Sequence, residues 1–468
     1  MIPIGYLVAA SLFIFGLQNL SKVRTAARGN TLAALGMLLA IVLTLLDVTD
    51  VDYVYILAGL VVGSGIGAAA AVRVPMTAMP ELVALFNGFG GSASALVALS
   101  VFFRGLAEGS SSASEGTIAL LGGPDVVIAG ELSLLIGAAT FSGSLIAYLK
   151  LRGSAIEKAI SLPGGNLLTG LVLLISLSVG GALFGPFDTS TAVLLCLALV
   201  GVSLFFGVAM VVPIGGADMP VVIALLNSLS GVAAAMTGFV LSNYLLIIAG
   251  SLVGASGLIL TQIMCKAMNR SLGNVLFSRF GGDTTATGKQ GYTNVKEATA
   301  EEVALLLEDA SAVVFVPGYG LAVARAQHIT RELGDFLESR GTKVRYAIHP
   351  VAGRMPGHMN VLLAEADVPY DHLLEMDEIN PEFKTYDVAI VLGANDVVNP
   401  AALHDKGSPI YGMPILNVHE AQTVVVVKRS LSPGFAGIRN GLFEHDNTVM
   451  SFGDAKKVMT DVLKELKG

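Results

Sequence analysis

The stretch VVFVPGYGLAVARA, residues 313–326, gives the first indication of the fold. An apolar run ends at Pro317, Gly318 and Gly320 flank Tyr319, and apolar residues with helical spacing follow. A glycine-rich turn between a buried strand and a helix is typical of dinucleotide-binding loops, because glycine permits the tight turn and the close approach of the backbone to a pyrophosphate. By itself the pattern GxGxxV is weak, so its meaning depends on the rest of the chain.

The segments around this stretch predict an α/β domain over residues 301–468. Thr299 and Glu302 form the pattern of a capping box in front of the first predicted helix. Short apolar runs then alternate with helical patterns: AVVFV, a helix at 321–340, KVRYAI, a helix at 359–366, YDHLLEM, DVAIVLG, MPILNV, TVVVVK and a last helix at 454–467. Nearly continuous apolar strands indicate a sheet covered on both faces, which predicts a Rossmann-like, doubly wound parallel sheet.

The residues before this domain predict a multi-span helical membrane protein. The 468-residue chain has a mean hydropathy of +0.72 and 14% charged residues, whereas soluble domains have about 25%. About nine runs are long enough to cross a bilayer, near 4–20, 31–46, 53–72, 81–103, 125–149, 166–184, 190–212, 220–241 and 244–265. The first run lacks a basic N-terminal region, so we expect it to be retained. The predicted organisation is a transmembrane domain at 1–265, a Gly/Thr-rich linker at 266–300, and the α/β domain.

The basic residues of the connecting segments predict the orientation of the chain. They follow the odd-numbered runs, at Lys22, Arg24, Arg28, Arg73, Lys150, Arg152, Lys158, Lys266, Arg270 and Arg279. The opposite loops carry acids and a single basic residue, Arg104; the acids are Asp47, Asp50, Asp52, Glu108, Glu115 and Asp188. Because basic loops stay on the cytoplasmic side, we expect the N-terminus outside and the C-terminal domain in the cytoplasm.

An internal repeat links two of the predicted spans. MPELVALFNGFGGSASAL at 79–96 matches MPVVIALLNSLSGVAAAM at 219–236, and the spans run in the same direction. Each repeat places an amide, Asn87 or Asn227, inside hydrocarbon depth, where a polar group is costly unless it is hydrogen-bonded. These residues either join helices or line a proton path. Glu81 and Asp218, at the predicted cytoplasmic ends of the spans, are either solvated end groups or members of that path.

The loops of the α/β domain indicate which dinucleotide it takes. No Asp or Glu occurs between Glu338 and Glu365, so the acid that usually binds the ribose of NAD after the second strand is missing, which favours NADP(H). Lys428-Arg429-Ser430 follows a predicted strand, and two cations with a hydroxyl suit a 2′-phosphate. Three more loops leave the same predicted edge, at 349–360, 393–402 and 432–437. We expect His349 and His358 in the first of them to have structural or nucleotide-orienting roles.

Other function classes fit the sequence less well. A transporter or channel regulated by a nucleotide-binding domain would need an ion filter or mid-membrane cations, and neither a TVGYG-like stretch nor a central Lys or Arg occurs. A purely structural anchor would not need four glycine-rich loops at one sheet edge. The net charge of −8 argues against a nucleic-acid partner. Cys196 and Cys265 lie in apolar runs, and we expect them to be buried residues without a disulfide.

Several long motifs together resemble the β subunit of proton-translocating NAD(P) transhydrogenases. They are GYGLAVA, IHPVAGRMPGHMNVLLAEA, MDEIN, GANDVVNPAA, KRS followed by GFAG, GGADMP and IMCKAMNRS. The resemblance covers essentially the whole chain. It implies that the C-terminal domain binds NADP(H) in an orientation reversed from that of ordinary Rossmann enzymes.

The resemblance also implies roles for individual residues. Gly318, Tyr319, Gly320, Ala322 and Val323 would meet the pyrophosphate, Lys428, Arg429 and Ser430 the 2′-phosphate, and Gly434, Phe435, Ala436 and Gly437 would close over the nucleotide as a lid. Arg354 and Asp396 would belong to nicotinamide-side, proton-linked loops. The remaining expected contacts in those loops are His349, Val351, Ala352, Gly353, Pro356, Gly357, Asn360, Gly393, Ala394 and Asn395.

The resemblance implies a partner as well. An α subunit of one or two chains would carry an NAD(H) domain and further helices, and hydride would pass directly between the two nicotinamides while a proton crosses a bacterial inner membrane. The working assembly would be a dimer of αβ units, with no metal and with no catalytic residue of this chain acting alone. Many family members have His where this chain has Asn87, and an amide cannot titrate near neutral pH. We therefore expect the partner, Asp218 or Glu81 to supply the titrating group.

Overall fold

The computed structural model describes residues 2–20, 25–47, 53–108, 121–153, 160, 162, 164–277, 291–434 and 436–468. The chain forms two compact units, and each is described by itself. The first comprises Met1–Gly216 with Val222–Thr261, and the second comprises Ala217–Val221 with Gln262–Gly468.

The first unit is built from long apolar helices, the last two of which each have one end in the second unit. In chain order the helices α1 to α9 are Ile2–Leu20, Ala26–Asp47, Tyr53–Arg73, Met79–Glu108, Pro124–Leu151, Asn166–Ala182, Thr189–Val211, Met219–Val240 and Tyr244–Ala267. Within the described residues, seven of them are long and apolar enough to cross a membrane, namely α2 to α5 and α7 to α9, and α1 and α6 are shorter apolar helices. The predicted multi-span helical part is thus confirmed. The second predicted run, 31–46, proved to belong to a longer helix, α2.

The sequence repeat has a structural counterpart in α4 and α8. Each begins at the Met of the repeat, and each follows a single 3-10 turn, at Met76–Ala78 and Gly216–Asp218. Each also packs on the next helix through glycine. A Cβ atom at Gly91 would lie 2.8 Å from the carbonyl oxygen of Gly137 in α5, and one at Gly231 would lie 2.9 Å from that of Gly250 in α9. Small residues at these positions let the backbones approach closely.

The second unit contains the predicted α/β fold. Its helices α10 to α17 are Leu272–Phe277, Ala300–Glu308, Tyr319–Ala324, Gln327–Ser339, His358–Glu365, Met376–Ile379, Ala401–His404 and Ala455–Lys467. Its strands β1 to β6 are Ala312–Pro317, Lys343–Ile348, Leu373–Glu375, Val388–Leu392, Thr423–Lys428 and Thr448–Phe452. The six strands form one parallel sheet in the order β3-β2-β1-β4-β5-β6. The doubly wound Rossmann-like prediction is confirmed.

Burial on both faces explains why the central strands read as continuous apolar runs. All five residues of β4 are buried, and so are the four valines at the centre of β5. The side chains of Val314, Ile379 and Phe443 belong to the same buried apolar cluster, which joins the sheet to the elements covering it. The predicted capping box is present in front of α11, because the Glu302 carboxylate accepts from the Thr299 backbone N–H at 2.8 Å.

At the carboxyl half of the domain, one predicted strand is absent and one observed strand was not predicted. The run MPILNV is not a strand; it is held as an irregular segment, in which Leu416 donates its N–H to Val397 and Asn380 donates its side-chain amide to Ile415. Pro414 lacks the N–H that a central strand requires. The sixth strand is instead β6, which lacks a long apolar run because it pairs with a neighbouring strand, β5, on one side only.

The predicted helix at 321–340 is two helices. Arg325 has a left-handed backbone with φ 50°, which ends α12 after one and a half turns and lets α13 begin at Gln327. The last residues of the predicted linker also contact the domain. Lys296 accepts a hydrogen bond from the N–H of Met450, and Glu297 forms a parallel bridge to the same residue.

Candidate functional site

The candidate nucleotide site lies at the carboxyl edge of the parallel sheet, where the loops after β1, β2, β4 and β5 leave the same side. The strand order changes direction between β1 and β4. In open α/β sheets a ligand binds in the crevice outside the carboxyl ends of the strands, at this switch point. The four loops that the sequence selected therefore surround the expected position of a dinucleotide.

The glycines of the β1 loop are required by contact with the β4 loop. Gly318 donates its N–H to Leu392 at 2.9 Å, and Gly320 donates to Gly393 at 3.0 Å. A Cβ atom at Gly320 would lie 2.6 Å from the Cα atom of Gly393, which itself has φ 66°. Glycine is needed here because the two backbones touch at the floor of the crevice. Ala322 is buried in α12, whereas Val323 is 47% exposed.

The β2 loop covers the other side of the β1 loop. The guanidinium carbon of Arg354 lies 4.6 Å from the centre of the Tyr319 ring, which joins the two loops by a cation–π contact. Gly353 and Gly357 both have positive φ, 111° and 70°, and they allow the loop to fold back on itself. His358 begins α14 immediately after the second of these turns.

The two histidines of this loop are buried and neutral at physiological pH. The Nε2–H of His349 donates to the carbonyl of Pro414 at 2.9 Å, while its Nδ1 accepts from the N–H of Val351 at 3.2 Å. The Nδ1 of His358 accepts from the N–H of Arg354 at 3.1 Å. Burial lowers the pKa of both rings to about 4, with a further lowering by Arg354 at His358. These contacts join the loop to Pro414 and hold its turn before α14.

The β2 loop also carries polar atoms that lack protein partners. The Nε2 atom of His358 and the Oδ1 atom of Asn360 are buried and make no hydrogen bond to any part of the chain that the structure describes. Val351, Ala352 and Pro356 complete the loop between the strand and these atoms. Buried polar groups without partners are costly, and a ligand can satisfy them.

The β4 loop holds the predicted lid. The Asp396 carboxylate accepts from the N–H of Ala436 at 3.0 Å, and a Cβ atom at Gly434 would lie 2.6 Å from one of its oxygens. Asn440, which is fully buried, donates its amide to the backbone carbonyl of Asn395 at 3.0 Å. The lid at 432–437 is therefore fastened to the β4 loop near its carboxyl end, through Ala436, and just beyond that end, through Asn440. Ala394 is buried beneath it, Gly437 has φ 68°, and Phe435 lies outside the described residues.

The three residues expected to bind a 2′-phosphate lie at the end of β5. The Nζ atom of Lys428 donates to the carbonyl of Ser432. When the side-chain amide of Asn395 is oriented with its oxygen toward the surrounding donors, the same Nζ atom also donates to that oxygen at 3.2 Å. Arg429 forms an ion pair with Asp454 at 3.2 Å, and the hydroxyl of Ser430 lies 2.9 Å from that of Ser432. Burial lowers the pKa of Lys428, and Asp396 opposes this shift.

The contacts of this basic cluster, Lys428, Arg429 and Ser430, indicate that it can bind a phosphate group. Two cations and a hydroxyl follow one another at the end of β5, and each is held by a group that a dianionic phosphate can replace. The place after β2 where an NAD enzyme carries an acid is taken by His349, whose ring is already hydrogen-bonded. The donor set, the glycine floor and the orphaned polar atoms of the β2 loop fit NADP(H).

The candidate residues of the membrane part have different surroundings. The Asn87 amide donates to the carbonyl of Ile223 at 3.2 Å, which joins the repeat-related helices α4 and α8. Asn227 is half-buried in α8, and Glu81 is half-buried in the first turn of α4. In the second unit Asp218 is 2% exposed and pairs with Arg270 at 3.0 Å. Burial raises the pKa of Asp218, and the charge of Arg270 opposes that shift.

Sequence reasoning missed two ionisable side chains of the first unit. Lys150 is not a solvated loop cation: it is 1% exposed, and its Nζ atom donates to the carbonyls of Val212 and Ile214, both at 2.9 Å, where α7 ends. Glu131, within α5, is 9% exposed. Its position inside the fifth apolar run was visible in the sequence, since a carboxyl group at membrane depth is itself a functional signal.

Comparisons with known proteins identify the family of the chain. A family model described as "NAD(P) transhydrogenase beta subunit" matches residues 2–465. A protein of Rhodospirillum rubrum named "NAD(P) transhydrogenase subunit beta" is 48% identical over 465 residues, which covers 99% of this chain and 98% of that relative. A second sequence of the same name, from one strain of that organism, gives the same values. The chain therefore belongs to the NAD(P) transhydrogenase beta subunit family.

Proposed function

We propose that this chain binds NADP(H) in its C-terminal domain and, with an α subunit that binds NAD(H), transfers hydride between the two nucleotides while a proton crosses the membrane. The observation that carries the proposal is the Lys428-Arg429-Ser430 cluster at the carboxyl edge of a Rossmann-like sheet, in a chain whose described residues include seven helices able to span a bilayer.

The position of this cluster supports a reversed nucleotide. In ordinary Rossmann sites an acid after the second strand holds the adenosine ribose, so the adenosine half lies over β2. Here the basic cluster follows β5, on the far side of β4 from β2. A 2′-phosphate held there places the adenosine half over β4 and β5, and the nicotinamide half over β1 and the β2 loop. Arg354 and the two buried histidines then belong to the nicotinamide side.

The lid supports tight binding and slow release. Because Asp396 and Asn395 hold Gly434 and Ala436, movement of the lid over a nucleotide is linked to the loop after β4. When bound, the nicotinamide supplies the chemistry, since its ring gives or takes a hydride. The residues of this chain position the ring, exclude water and hold the phosphates. One dinucleotide site is half of a hydride transfer, so the other nucleotide must come from the partner.

Contacts within the second unit support coupling between the nucleotide loops and the start of α8. Gly412 donates its N–H to the carbonyl of Ala402, the last residue of the 393–402 loop after β4, at 2.8 Å. The side-chain amide of Asn269 donates to the carbonyl of Tyr411, the residue before Gly412. Arg270 follows Asn269 and pairs with Asp218, which precedes α8. Coupling requires that nucleotide state and proton access bias the same element, and this chain of contacts is such an element.

We also propose where the chain is located and how it assembles. The basic residues after α1, α3, α5 and α9 favour an outer N-terminus and a cytoplasmic C-terminal domain in a bacterial inner membrane. Asn87, Asn227, Glu81 and Asp218 are proposed members of the proton path, and the αβ unit is proposed to form a dimer. The domain limits 1–265, 266–300 and 301–468 remain our working division.

Nucleotide binding to the purified full chain tests the central element. Titration calorimetry with NADPH and with NADH compares two ligands that differ only in the 2′-phosphate. We expect NADPH to bind at least about 100-fold more tightly, which corresponds to about 2.8 kcal/mol from two charge-assisted contacts. Equal affinities would contradict the assignment of NADP(H) to this chain.

A further inference from the structure

Glu131 is a buried carboxyl group that the proposed proton path does not include. It is 9% exposed and lies seven residues after the start of α5 at Pro124. The 28-residue helix is about 42 Å long, about 12 Å more than the hydrocarbon core. If the excess is shared between both ends, Glu131 stands about 10 Å along the helix and about 4 Å inside the hydrocarbon.

A glycine in α6 makes room for this carboxyl group. A Cβ atom built at Gly180 would overlap the carboxyl carbon and one carboxyl oxygen of Glu131. Any larger residue at this position would force the carboxyl group to move. The neighbouring glycine, Gly181, meets nothing within 4 Å, so close packing is specific to the face of α6 that meets Glu131.

The surroundings of Glu131 are apolar. Val127 and Leu134, one turn to either side of it in α5, belong to one buried apolar cluster with Leu183, one turn beyond Gly180. The described residues make no hydrogen bond or ion pair to the Glu131 carboxyl group.

Among the ionisable groups of the neighbouring elements, two form an ion pair with each other, one caps a helix, and two are acids that carry no positive charge. Arg104 and Glu108 in α4 pair with each other at 2.7 Å and are exposed. Asp188 caps α7 by accepting from the N–H of Thr191. Asp125 lies in the first turn of α5, and the Cys196 thiol is buried in α7. Lys150 is stabilised by two carbonyls, whereas no group of the described residues compensates a charge on Glu131.

From the burial of Glu131 and its seat against Gly180, we propose that this carboxyl group is a proton-binding site in the outer half of the membrane part. An isolated carboxylate inside hydrocarbon is strongly disfavoured, so the group holds a proton until water or a cation reaches it. Loading and unloading one carboxyl group is what a proton path requires of a relay residue. Asn87 cannot titrate, and Glu131 provides this chemistry within the same unit. The inference rests on the proposed proton translocation.

Glu131→Gln tests the inference in the full chain assembled with its α subunit in proteoliposomes. It keeps the size of the side chain and removes the proton site. We expect normal NADPH binding but a loss of proton translocation by about 100-fold or more, the range that a positioned proton-transfer group contributes. Glu108→Gln, at an exposed carboxyl group of α4, is the matched control and should leave translocation unchanged.

Two further variants and an infrared measurement keep the result unambiguous. Glu131→Asp retains an acid and should recover part of the translocation, and Gly180→Ala should reduce it, because the added methyl group displaces the carboxyl group. Infrared difference spectra should contain a carboxylic acid C=O band that Glu131→Gln removes. Wild-type translocation in Glu131→Gln, or a carboxylate band for Glu131 at neutral pH, would overturn the inference. If the unmodified complex moved no protons, the proposed function would fail instead, and the infrared band would still decide whether Glu131 holds a proton.

Discussion

Replacing Lys428 by Ala tests the 2′-phosphate assignment most sharply within the nucleotide site. Lys428 is the half-buried member of the cluster, and its Nζ atom is held within the loops by the Ser432 carbonyl. A hydrogen bond between charged groups contributes about 1.5–3 kcal/mol, because the buried partner is left unsatisfied when the bond is lost. We therefore expect the Kd for NADPH to rise about 10- to 150-fold, at 1.4 kcal/mol for each factor of ten.

The assay is titration calorimetry of the full chain with NADPH and with NADH. NADH lacks the 2′-phosphate, so its affinity should change by less than about threefold, or about 0.7 kcal/mol. Lys457→Ala, an exposed lysine of α17, is the charge-matched control and should affect neither nucleotide. Arg429 is 63% exposed and already paired with Asp454, so Arg429→Ala should cost less than Lys428→Ala. An equal loss of NADPH and NADH affinity in Lys428→Ala would refute the reasoning.

Further predictions follow from the β1 loop, the buried histidines and the lid. Gly320→Ala places a methyl group 2.6 Å from the backbone of the β4 loop, so it should destabilise the domain by about 1–3 kcal/mol in a denaturant titration and weaken the binding of NADPH. Unchanged stability would exclude this contact. Because the pKa values of His349 and His358 are lowered to about 4 in the fold, the unfolded chain binds more protons below pH 6.5. Stability should therefore be complete above about pH 6.5 and fall toward pH 4 by about 1.4 kcal/mol per pH unit for each ring; a flat pH–stability profile would contradict their burial as neutral groups. Asn440→Ala frees the carbonyl of Asn395 and should speed NADPH release in stopped-flow fluorescence, and unaltered release would show that this bond does not hold the lid.

The elements with strong local patterns could be predicted from the sequence. Long apolar runs gave the helices of the first unit, and the continuous valine-rich runs gave β1, β4 and β5. The strand that the sequence did not predict, β6, has a mixed polar and apolar pattern, TVMSF, because it has only one neighbouring strand in the sheet. The run MPILNV looked like a strand because apolar side chains also fill irregular segments that pack on a core, as Ile415 and Leu416 do.

The parts of the site that could not be predicted depend on contacts distant in sequence. The break at Arg325 needs a left-handed residue that the helical pattern does not reveal. The bond from Ala436 to Asp396 spans 40 residues, so the fastening of the lid appears only in the fold. The burial of Lys150 was hidden because a basic residue at the end of a span usually faces the aqueous side. By contrast, Glu131 stood within an apolar run and could have been selected from the sequence alone.

Proton movement during hydride transfer tests the central claim most directly. The chain and its α subunit are reconstituted together in vesicles that contain a pH-sensitive dye, and NADPH with an NAD analogue is added outside. We expect a pH change across the vesicle membrane that accompanies reduction of the analogue and disappears when a protonophore is added. Reduction of the analogue at a normal rate with no pH change, with tight vesicles verified by an independent pump, would contradict it.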